Sequence, residues 1–110
     1  MSKLDSRALL ERLVGFNTAS RESNLALIGF IRDYLNDLGV ACELIFNDER
    51  SKANLLARIG PDQDGGIVLS GHTDVVPVDG QAWTLDPFSL TERDGRLYWR
   101  GTAYMKGFIA

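Results

Sequence analysis

Cysteine and histidine are nearly missing from this chain: 110 residues contain one of each, Cys42 and His72. A lone cysteine excludes an intramolecular disulfide. Its apolar, strand-like surroundings from Val40 to Phe46 mark it as a small buried hydrophobe rather than a ligand or nucleophile. A reducing cytoplasm is the simplest compartment for such a chain. Long apolar runs are missing too. No stretch approaches the roughly 18 apolar residues of a membrane span, and the first ten residues mix charges without the apolar core of a secretory leader. Nor is there an excess of positive charge: 12 Lys and Arg stand against 15 Asp and Glu, for a net charge of −3. The basic residues are scattered, which argues against nucleic acid or an anionic membrane as partner.

What is present is the composition of an ordinary globular chain, 45% hydrophobic and 25% charged, with no repeat or low-complexity tract. Its length is that of one domain. Leu9, Leu10, Leu13 and Val14 form an apolar stripe, predicting a helix from about Leu4–Ser6 to Gly15, followed by a loop from Phe16 to Ser20. Leu27, Ile28, Ile31, Tyr34, Leu35 and Leu38 recur at three-to-four spacing and predict a second helix. Ser23 or Asn24 suits its N-cap, and Gly39 suits a left-handed position just past its end. The period then changes. Val40 to Phe46 and Ala53 to Ile59 read as strands, and Ile67-Val68-Leu69 reads as a short strand covered on both faces. Asp94-Gly95 between two alternating runs is a strong hairpin signal. Two helices ahead of several strands predict an α/β fold in which helices pack on a mixed sheet with a hairpin.

The apolar run leads into Ser70-Gly71-His72-Thr73-Asp74-Val75-Val76-Pro77. Residues two apart in an extended segment project to one side. Asp74 can therefore accept a hydrogen bond from one imidazole nitrogen of His72 and leave the other for a metal, and Gly71 lets the backbone pass closely. Thr73 reads as structural. An isolated His-x-Asp pair is more often structural than metal-binding; the whole string after an apolar strand reverses that balance. One histidine is still not a site, because catalytic zinc takes about three protein ligands and a water.

A second segment, Gly101-Thr102-Ala103-Tyr104-Met105-Lys106-Gly107, lies about thirty residues further on. Leu13 to Thr18, Lys52 to Leu55, Trp83 with Asp86-Pro87-Phe88, and Asp94 to Tyr98 complete a pattern that spans the chain. Taken together, these stretches resemble the N-terminal part of the dinuclear-zinc aminoacylase and carboxypeptidase superfamily, peptidase family M20. The closest flavour is that of its branch hydrolysing N-acetylornithine to ornithine and acetate in arginine synthesis. Desuccinylase and dipeptidase branches are the alternative.

The resemblance implies an incomplete metal-dependent catalytic domain over 1–110, with zinc or cobalt as cofactor of the parent enzyme and a small N-acyl amino acid as substrate. It also implies a homodimeric parent whose dimerisation domain is absent here. His72 matches the first metal-ligand histidine and Asp74 the carboxylate that orients it. Tyr104 stands where the family has an Asp bridging two metals. A phenol has one oxygen and an unperturbed pKa of about 10, so Tyr104 is not expected to bridge. Trp99 replaces a usual Gly. Each of these two changes is one base away from the family residue, as in a decaying reading frame. The family's general-base Glu and remaining ligands match nothing up to Ala110. Lys106 matches the motif with no role expected beyond a surface or helix-entry charge, and the few residues from Met105 onward are too short to hold a helix. The 110 residues are therefore expected to be inactive. A rival reading is a non-catalytic remnant that binds metal weakly or pairs with another chain, aggregating through an uncovered sheet.

Overall fold

Asp5 opens the first helix. Its carboxylate accepts the Ala8 backbone N–H at 2.8 Å, satisfying one of the amides a helix start leaves unpaired. The computed structural model describes residues 3–19, 22–74, 89–98 and 105–110. Within them α1 spans Ser6–Val14 and α2 spans Leu25–Asp37. Of the stripe on α1, Leu10, Leu13 and Val14 are buried. Helix α2 buries Leu27, Ile28 and Tyr34. It ends as the glycine predicts: Gly39 has φ +83°, its N–H bonds to the Asn36 carbonyl at 3.0 Å, and the Val40 N–H reaches the Leu35 carbonyl at 2.9 Å. This paired pattern is the Schellman ending.

The start of α2 departs from expectation. Asn24 occupies the N-cap position but makes no side-chain cap bond. Instead its amide pairs with both backbone groups of Ala53, donating to the carbonyl and accepting from the N–H, each at 2.9 Å. Ser23 supplies the local bond, its hydroxyl accepting the Leu25 N–H at 3.2 Å. The asparagine side chain thus acts like a short strand segment fastening α2 to the sheet. Asn24→Ala is expected to lower unfolding stability by about 1–2 kcal/mol, read by urea denaturation.

Strands β1 (Cys42–Phe46) and β2 (Ala53–Ala57) pair antiparallel, with Leu44 opposite Leu55 and Phe46 opposite Ala53. Leu44, Phe46, Ala53 and Leu55 face Leu13, Leu27 and Ile28 in the main core. Asn47 organises the connection, its side-chain oxygen accepting the Ser51 and Lys52 N–H groups. Strands β3 (Thr91–Arg93) and β4 (Arg96–Tyr98) form the expected hairpin. Asp94 (φ +53°) and Gly95 (φ +73°) are both left-handed, the requirement of a type I′ turn. Leu90 and Leu97 pack against Leu10, Val14 and Ala19, so α1 lies between two apolar clusters.

The α/β class holds, but the described strands form two separate antiparallel pairs rather than one mixed sheet. Ile67-Val68-Leu69 is the larger correction. It is not in a strand, and its side chains are 90%, 87% and 79% exposed. An apolar run signals a covered strand only when other elements exist to cover it, and among the described residues nothing does. The third correction is at the other end. Met105–Ile109 does form a short helix, α3, because Lys106 and Ile109 pack into the body of the protein rather than facing water. Trp83, Phe88, Trp99 and Tyr104 lie outside the described residues. No helix among the described residues is long and apolar enough to cross a membrane.

Candidate metal-binding segment

Residues 70–74 line one side of an open cavity of about 830 Å³, with β2 and the end of β1 along the other. His72 and Asp74 face this space, their side chains 61% and 57% exposed. His72 Nδ1 lies 3.0 Å from Asp74 Oδ1 and 3.1 Å from the Asp74 carbonyl oxygen. A carboxylate and a carbonyl can only accept, so Nδ1 carries the proton in this contact and, in the neutral ring, Nε2 carries the lone pair. This is the orientation the His-x-Asp spacing predicts, reached without regular strand structure.

The segment is held from behind. Thr18, a buried polar residue, donates its hydroxyl to the Thr73 carbonyl, and Thr73 is half-buried. Gly71 lies so near α3 that an added Cβ would meet Met105 Cε at 3.0 Å and Phe108 Cδ1 at 3.4 Å. The close passage expected of this glycine is therefore present, against the helix that begins the residue after Tyr104.

Lys106 corrects the surface-charge expectation. It is 1% exposed, and its Nζ donates to the carbonyls of Leu13 at 3.0 Å and Phe16 at 3.1 Å. It thereby places a cation at the carbonyl end of α1. Loss of water on burial pushes its pKa down to about 8. Cys42, by contrast, is half-buried rather than fully enclosed. Burial pushes its thiol up, with the Arg32 charge pulling the other way. The roles of Thr18 and Lys106 carry no local sequence signal, since each bond joins residues at least 55 positions apart.

One imidazole and its orienting carboxylate do not make a metal centre. Among the described residues no group of three His, Cys, Asp or Glu side chains converges. The donors that the described residues bring together therefore fall short of the three that a catalytic zinc takes from its protein.

Residues 68–110 match the sequence model of Peptidase family M20/M25/M40. Acetylornithine deacetylase of Yersinia pestis is 48% identical to this chain over 99 residues, covering 86% of the chain and 25% of that enzyme. Those of Pasteurella multocida (strain Pm70) and Shigella sonnei (strain Ss046) are 49% and 51% identical over 90 residues, each covering 81% of the chain and 23% of the enzyme. The chain spans about a quarter of the length of the curated relatives it matches.

Proposed function

We propose that this chain, which carries a Peptidase family M20/M25/M40 segment over residues 68–110 and resembles a quarter of an acetylornithine deacetylase, supplies one ligand of a divalent metal through His72. The observation that carries this reading is the His72–Asp74 pair. Asp74 accepts the hydrogen bond from Nδ1–H, N···O 3.0 Å, which holds one tautomer and makes Nε2 a better metal ligand. The whole enzyme in this reading is a metal-dependent hydrolase of N-acetylornithine, a step of arginine synthesis. It uses zinc or cobalt and works as a cytoplasmic homodimer, with neither nucleic acid nor membrane as partner.

The described residues do not bring three His, Cys, Asp or Glu donors together, so a complete metal centre draws on further residues. Tyr104, at the place of the bridging Asp, offers one phenolic oxygen and does not bridge. In this reading the chain by itself is inactive, because Tyr104 does not supply the bridging carboxylate. Purified chain with added zinc or cobalt is expected to release no acetate from N-acetylornithine above the buffer rate, and Tyr104→Asp is expected to change nothing. Turnover proportional to protein concentration would overturn the inactivity. Cobalt titration tests the ligand separately: the single imidazole should broaden selectively, without saturating at equimolar metal. An imidazole signal untouched by cobalt would rule out His72 as a ligand.

A further inference from the structure

The His72–Asp74 pair is too exposed to hold itself in place. An ion pair or hydrogen bond between side chains this open to water is worth at most about 1 kcal/mol, and the two residues lie outside regular secondary structure. The backbone between them sets how the two side chains are presented to each other. The centre of that backbone, the Thr73 carbonyl, is where Thr18 bonds. The residues preceding Thr18 are bonded in turn to α3, because the Leu13 and Phe16 carbonyls accept from Lys106. Gly71 against Met105, Phe108 and Ile109 closes the triangle.

We propose that Thr18 is the positioning residue for His72, and that the connection after α1, pinned by Lys106, is the fixed point from which the imidazole is aimed. Three segments far apart in the chain meet here: residues 13–18, 71–74 and 105–109. Thr18 touches neither the imidazole nor the carboxylate. It fixes the carbonyl between them, so that the Nδ1 proton finds Asp74 and Nε2 keeps one direction. Asn17 braces the same turn, its side-chain oxygen accepting the Ala19 N–H at 3.2 Å. The use of this aim rests on His72 being a metal ligand, but the aim itself does not, and it can be measured without metal.

The chain has a single histidine, so its two ring nitrogens can be observed without ambiguity by ¹⁵N NMR at a pH where the imidazole is neutral. In the unaltered chain the Nδ1–H tautomer should give two well-separated nitrogen signals. Thr18→Val keeps the side-chain shape and removes the hydroxyl, and the two signals are expected to move toward each other as both tautomers become populated. Thr18→Ser keeps the hydroxyl and should restore the separation. Circular dichroism of both variants checks that α1 and α2 persist, so that loss of the whole fold is not mistaken for loss of aim. Unchanged nitrogen signals in a folded Thr18→Val chain, or no rescue by serine, would overturn the proposal. Should the valine variant fail to fold, the unaltered chain decides: a slowly exchanging Thr18 hydroxyl proton close to Thr73 supports it, and the absence of that contact overturns it.

Discussion

Replacing Lys106 with alanine is expected to lower the unfolding stability by about 2–3 kcal/mol near neutral pH. Two effects add. The Phe16 carbonyl loses its charged donor, and removal of three of the four stem carbons leaves a gap between α1 and α3. The Leu13 carbonyl is less affected, because it also accepts the backbone N–H groups of Gly15 and Phe16. Relief of the buried charge works in the opposite direction and keeps the loss from being larger.

That opposing effect has its own signature. The folded-state pKa, about 8, lies below the ordinary 10.5. Below pH 8 both states hold the proton and the burial penalty is present in full. Between 8 and 10.5 the folded chain has released its proton while the unfolded chain keeps it, so stability rises with pH through that window and levels off above it. The rise is at most roughly 3–4 kcal/mol, at about 1.4 kcal/mol per pKa unit. Lys106→Met fills the same space without a titrating group and should lack this rise. Urea melts of the two proteins at about pH 7 and about pH 10 read the difference. Equal pH profiles would show that the ammonium is not buried.

Leu27→Ala carries the other large effect, an expected loss of about 3 kcal/mol. Leu27 is 1% exposed and packs with Leu13 of α1, Ile28 of α2 and Ala53 of β2. It is the point at which both long helices and the first hairpin meet, so the space vacated by three carbons cannot be refilled from one side alone. Against a typical total of about 5–15 kcal/mol for a domain, this loss should shift the thermal midpoint down by more than ten degrees, on the order of ~4–8 °C per kcal/mol. A shift of only a degree or two would mean the cluster is loosely packed.

The elements that local chemistry decides were legible in the chain. Gly39 ends α2, Asp94-Gly95 turns β3 into β4, and the apolar stripes mark the buried sides of both long helices. The His72–Asp74 contact was legible for the same reason, since a spacing of two suffices to bring the groups together. Other features depend on what lies elsewhere. Ile67-Val68-Leu69 is apolar enough to be a core strand yet stands in water, because burial is a property of neighbours and not of the run. Asn24 has the chemistry of a helix cap, but Ala53 offers it two bonds and it takes those. Lys106 reads as a surface charge until the carbonyl end of α1, 93 residues away, is placed beside it.

That separation bears on the order in which the protein can be completed. During synthesis from the N-terminus, α1, α2 and the β1–β2 hairpin can assemble from neighbouring residues as they emerge. The end of α1 and the support beneath His72 cannot be finished until Lys106 has left the ribosome, and closing so long a loop is slow compared with local pairing. From the addition of His72 until Lys106 emerges, the chain therefore carries its one imidazole on a segment whose mooring has not yet been made.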